Sequence, residues 1–191
     1  MSKNSVDTFK VRGRVELIFF RGGVEYDRII KENIILDQGK EEVANSLAFG
    51  SNRTVVRMAI GDRGTLPSDP TVPKIPPATA TSLYHEVHRQ DLQSASVQFV
   101  DGKWQCLFTA NFKALEIPPT AYASLLDPVI NEVGLVMADL VTGAPLPRPP
   151  ISSPDPHDVD EIVFSLRTFK SVPFEAANET SVLIKYTITI G

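Results

Sequence analysis

The chain has 191 residues, 42% of them hydrophobic, enough to bury a substantial core. Its 19 basic and 23 acidic side chains leave a net charge of −4 with no block of one sign, which argues against direct nucleic-acid binding. The opening MSKNSVDTFK lacks a signal-type apolar run, no stretch reaches membrane-helix length, and the single Cys106 excludes an intrachain disulfide; the expectation is one soluble domain, residues 1–191, made in a reducing cytoplasm.

The first predicted element is a β-hairpin over residues 9–31. Phe9, Val11, Gly13, Val15, Leu17 and Phe19 alternate with Lys10, Arg12, Arg14 and Glu16, the period of a half-buried strand. RGG at 21–23 can take positive φ, and VEYDRII returns from it. The period then changes. Val43 with Leu47, and Ala44 with Ala48, predict a helix over about 38–48, with Asp37 placed to cap, Glu41 and Glu42 suited to the first turn, and Gly50 to end it.

TVVRMAIGD reads as a strand, followed by the proline-rich LPSDPTVPKIPPA (66–78), an extended, weakly hydrogen-bonded arm carrying Pro67, Pro70, Pro73 and Pro76. SLYHEVHRQDL and SASVQFV lead to an Asp101-Gly102 turn, and KWQCLFTANF comes back with Trp104, Cys106, Phe108, Ala110 and Phe112 on one face. That phase predicts core packing for Trp104 and a buried, unreactive Cys106. INEVGLVMADL (130–140) is a further strand. A second arm, GAPLPRPPISSPDP (143–156), carries Pro147, Arg148 and Pro149. DEIVFSLRTFKSV and the alternating TSVLIKYTITIG close the chain, and the last strand is expected to pair centrally or against a neighbouring chain. Seven to nine antiparallel strands and one short helix predict a mainly β fold, an antiparallel β-sandwich or flattened barrel with long proline-rich loops.

Candidate chemistry is sparse. Asn131 and Glu132 are neighbours on a strand, so their side chains leave it on opposite faces and cannot form an acid–base pair with each other. A buried Glu132 needs donors, and Arg89, Arg148 or backbone amides of the proline loop could supply them. His85 and His88 are three apart on a strand, which favours surface histidines over a metal pair. His157 lies among Asp155, Asp158, Asp160 and Glu161 without calcium-loop spacing, so a solvated acidic loop is expected. IGDRGT has neither the lysine nor the following helix of a phosphate-binding loop. No Ser/His/Asp set argues for a nucleophile, and no cofactor or metal is called for. Glu86 and Glu132 as a glycosidase-type carboxylate pair is the enzyme alternative. A carbohydrate- or receptor-binding module using Trp104, Tyr122 and Tyr84 is the binding alternative.

Taken together, ENIILDQGKEEVANSLA, VVRMAIGD leading into LPSDPT, SLYHEVHR, INEVGLVMADL and SVLIKYTITI resemble a layout of tail-associated virion proteins of tailed bacteriophages, of baseplate or tail-fibre type. The likeness runs from about Asn33 to Ile190; the second arm and the N-terminal hairpin fall outside it. It places Glu86 and Arg89 at an E-x-x-R pair, and Glu132, Val133, Gly134 and Leu135 at an EVGL strand. The resemblance implies a structural, non-enzymatic role in a virion assembled in the host cytoplasm. The implied partners are other virion proteins and further copies of the chain, with no direct contact to nucleic acid or membrane. In that setting both arms are expected to order by contact with other subunits, and Asn131, Glu132, Glu86 and Arg89 to act as structural polar pairs.

Overall fold

The computed structural model describes residues 10–50, 53–124, 126–139 and 161–191. Among these residues, eleven strands and one α-helix follow in chain order. The first hairpin is β1 (Val11–Arg21) and β2 (Val24–Ile35), turned by Gly22 and Gly23 at φ of 54° and 79°. Helix α1 (Asp37–Phe49) comes next, then β3 (Arg53–Gly61), the short β4 (Thr65–Leu66) and β5 (Asp69–Pro73), and β6 (Glu86–Asp91). The second hairpin, β7 (Ser94–Val100) and β8 (Lys103–Lys113), turns through Asp101 and Gly102, both at positive φ. Strands β9 (Val129–Asp139), β10 (Ile162–Pro173) and β11 (Thr180–Ile190) complete the set.

Nine strands form one antiparallel sheet in the order β6-β3-β9-β10-β2-β1-β11-β8-β7. It folds over on itself between β10 and β2, which pair at only two positions, Ser165 with Ile35 and Leu166 with Ile34. One layer is therefore β2-β1-β11-β8-β7 and the other β6-β3-β9-β10. The free ends, β6 and β7, do not close into a barrel, so the architecture is a β-sandwich or an open, flattened barrel. Of the two pairings expected for the last strand, the structure shows the central one, with β11 between β1 and β8.

The inner faces meet in one apolar core. Val15, Leu17, Phe19, Phe112, Val182, Ile184 and Tyr186 come from the first layer, and Met58, Ile60, Val133, Leu135 and Phe169 from the second. Tyr186 crosses the gap to donate its hydroxyl to the Val133 carbonyl at 3.1 Å, which satisfies a phenol that is fully buried. The outer face of the second layer carries a smaller core of Leu36, Ala59, Leu83, Val136, Val163 and Leu166.

Two expectations are corrected here. Segment 66–78 is not a weakly bonded arm. Strands β4 and β5 pair with each other, Lys74 N donates to Gly64 O (2.8 Å), Thr168 Oγ1 donates to Lys74 O (2.5 Å), and Asp37 N donates to Ala78 O (2.9 Å). Pro67 and Pro70 are exposed, Pro73 is half-buried and Pro76 is buried. Helix α1 spans the predicted residues, but only the start of its apolar stripe is covered: Val43, one turn after Gly39 on the same face, packs against the core. Leu47 and Phe49 are exposed, whereas Gly39 is buried where a Cβ would lie 2.4 Å from the Phe164 carbonyl. Asp37 forms an ion pair with Lys40 (2.7 Å) and makes no cap bond, and Gly50 ends the helix in the left-handed conformation. The second arm, with Pro147, Arg148 and Pro149, lies outside the described residues.

Candidate functional site

The strand that opens INEVGLVMADL begins at a polar knot. Glu132 is fully buried, and both carboxylate oxygens accept from backbone amides: Oε1 from His85 N (2.9 Å) and Arg63 N (3.3 Å), Oε2 from Tyr84 N (2.8 Å). Arg89 is not among these donors, being bonded to Glu86 and Glu161, and Arg148 lies outside the described residues. Burial pushes the Glu132 pKa up; the three amides and the nearby Asp62 charge modify that rise, the amides lowering it and Asp62 adding to it.

Asn131, buried beside it, holds the same loop by different atoms. Its Oδ1 accepts from Gly64 N (2.6 Å), and its Nδ2 donates to Asp62 O (3.0 Å), Ser171 Oγ (3.0 Å) and Thr65 Oγ1 (3.2 Å). The glycines of IGDRGT permit this wrap. A Cβ on Gly61 would lie 2.3 Å from His85 O and 2.5 Å from Glu132 Oε1, and one on Gly64 would lie 2.5 Å from Asn131 O. The glycine-rich turn thus closes on a carboxylate and an amide of its own chain.

Asp62 ties in the next segment. Its Oδ1 lies 2.6 Å from His85 Nδ1 and its Oδ2 accepts from Ala123 N at 2.5 Å. The imidazole is about one third exposed while the Asp62 side chain is 3% exposed. An aspartate orienting a partly open histidine is an arrangement that can serve proton transfer, but the remaining polar groups here are spent on backbone. Asp62 escaped the sequence reading; its only signal is a charged residue directly after a buried strand.

A second buried network lies at Arg57 and Arg89. Glu161 bridges both guanidinium groups, Arg57 Nε also donates to Asp91 (2.9 Å), and Arg89 donates twice to Glu86 (2.7 and 2.5 Å). Burial alone would lower the Arg89 pKa, but Glu86 and Glu161 hold it above its ordinary value. Glu161 was expected in a solvated acidic loop, yet its side chain is 3% exposed. Two arginines compensate its desolvation. His157, Asp155, Asp158 and Asp160 lie outside the described residues.

The other candidates separate. Glu86 and Glu132 do not form an open carboxylate pair, since one is clasped by Arg89 and the other by backbone. His88 is half-buried instead of lying openly on the surface: it meets Phe112 edge-on at 5.9 Å, and burial pushes its pKa down. Tyr122 is buried and donates to Phe174 O (3.4 Å), which removes it from the glycan-binding candidates. Tyr84 is partly exposed under the Lys74 ammonium, 4.5 Å from its ring centroid. Trp104 is 55% exposed instead of core-packed, in ring contact with exposed Phe99 at 5.1 Å. Cys106 is half-buried, and burial pushes its thiol pKa up.

Among the described residues no three His, Cys, Asp or Glu side chains converge to hold a metal ion. A surface groove of about 450 Å³ gathers Arg12, Glu32, Asn33 and Lys40 without histidine, serine or cysteine. A small hollow under Tyr122 and Phe174 is apolar. Comparison with protein-family models, with curated proteins and with solved structures returns no match.

Proposed function

We propose that the protein is a structural component of a bacteriophage virion, in the tail, baseplate or fibre-attachment region, and works through subunit contacts, including contacts between its own copies. The observation that carries this reading is the fate of the polar residues at the positions where the chain resembles tail-associated proteins. Glu132, Asn131, Glu86 and Arg89 are all consumed inside the chain, as braces between strands and loops. Among the described residues the outside carries a free sheet edge and an exposed aromatic pair, which are means of docking. Mass spectrometry of particles purified from the strain that encodes the chain tests this. The protein is expected as a stoichiometric virion component, and its absence from intact particles contradicts the proposal.

A second reading has one observation in its favour. The exposed Trp104 and Phe99 rings offer a platform of the kind that sugars stack on. Glycan-array binding that disappears on Trp104→Ala would favour a carbohydrate- or receptor-binding module instead.

A further inference from the structure

The strand register places Ala95, Val97 and Phe99 of β7 opposite Phe108, Cys106 and Trp104 of β8, and those in turn opposite Tyr186, Ile188 and Ile190 of β11. These side chains share the core-facing side of the first layer. Tyr186 and Ile188 are buried there, but Val97, Phe99 and Trp104 are 66%, 60% and 55% exposed. The cause is the extent of the opposite layer. Its edge strand β6 reaches β8 where Gln90 donates to Asn111 O (3.0 Å), and it ends at Asp91, leaving the second hairpin to project beyond it. Every residue from Ser94 to Phe99 is exposed, and among the described residues nothing pairs with the outer edge of β7.

The two free edges differ in charge. β6 reads Glu-Val-His-Arg-Gln-Asp, short and studded with ionisable groups, the usual protection of an edge. β7 reads Ser-Ala-Ser-Val-Gln-Phe-Val, with no charge and no proline. We infer that β7 pairs antiparallel with β7 of a second copy, about a two-fold axis at Val97. Val97 then faces its own copy, Ser96 faces Gln98, Ala95 faces Phe99, and Ser94 faces Val100. A charge-free strand meets itself without repulsion in this register. The small Ala95 leaves room for the partner's Phe99, so each exposed Phe99 gains an apolar neighbour across the new strand pair.

This contact gives the proposed structural role, on which it rests for its purpose, a defined surface, and it can be tested apart from that role. Analytical ultracentrifugation of the full chain over a dilution series is expected to show a monomer–dimer equilibrium. Val97→Lys puts like charges face to face at the axis and is expected to weaken the dimer at least about tenfold. Because Val97 is exposed, the thermal melt of the variant monomer should match that of the wild-type monomer. Val97→Glu behaves alike, and mixing the two variants restores a dimer through opposed charges. A wild-type chain that stays monomeric, a Val97→Lys chain that stays dimeric, or a mixture that fails to recombine overturns the inference. Particle composition reads the virion role independently, so either can fail without the other.

Discussion

Three backbone amides converge on the Glu132 carboxylate, and replacing the side chain with alanine strands all of them in a buried site. Each unmet donor costs about 1–3 kcal/mol, partly recovered where water enters, so Glu132→Ala is expected to lose roughly 3 kcal/mol. In a chain of this size that corresponds to a melting temperature lower by about 6–12 °C, measurable by calorimetry. Burial also gives the group an uncommon pH signature. Its folded pKa lies above the unfolded value, so the proton-linked part of its stability is present below the ordinary carboxylate pKa and is lost as pH rises through the folded one, and the loss on Glu132→Ala is expected to be larger in mild acid than at higher pH. His88 acts in the opposite direction. Its pKa is depressed, so its contribution is present above the ordinary histidine pKa and is lost as pH falls through the folded value. Thermal melts of wild type and His88→Gln from neutral to mildly acidic pH should converge as the pH falls; parallel curves would place the imidazole in solvent. Gly64→Ala forces the turn off Asn131 O and is expected to cost about 1–3 kcal/mol, against almost nothing for an alanine at an open loop position.

At the scale of elements, periodicity identified strands and helix but could not say what covers them. Trp104 does alternate in phase with Phe108 and Phe112, yet it is exposed because β6 ends short of it. The Val43/Leu47 stripe does mark a helix, yet only its start is covered: Gly39, whose absent side chain allows close approach to β10, and Val43 face the core, while Leu47 on the same stripe is exposed. Both misreadings share one cause: phase is a property of a single segment, and cover is supplied by another. The partners of Glu132 were hidden for the same reason, since its three donors lie 47, 48 and 69 residues away in the chain. What could be read locally was the anomaly itself, a carboxylate in an apolar strand, and the glycines of IGDRGT that turned out to surround it. Segment 66–78 carries a prediction at this scale. Because β5 pairs with β4 and Lys74 is bonded to β10 and the Gly64 turn, deleting 66–78 is expected to lower the melting temperature of the isolated chain; a deletion that melts like wild type would show the segment to be a free arm after all.

At the scale of the molecule, the apolar core joins the layers while the polar residues bind loops to strand ends. Glu132 and Asn131 hold the Asp62–Thr65 turn, Glu132 also holds Tyr84 and His85, and Asp62 reaches Ala123, so three loops are attached to one end of β9. Loops fixed in this way should open only when the sandwich itself opens, rather than by local fluctuation. Native-state hydrogen exchange reads this at single amides. The Arg63, Gly64, Tyr84 and His85 amides are expected to exchange as slowly as the central amides of β9 in the wild-type chain, and to drop to fast local exchange in Glu132→Ala while β9 itself stays protected. Fast exchange of those amides in the wild-type chain, as in ordinary surface loops, would contradict the bracing role of the buried carboxylate.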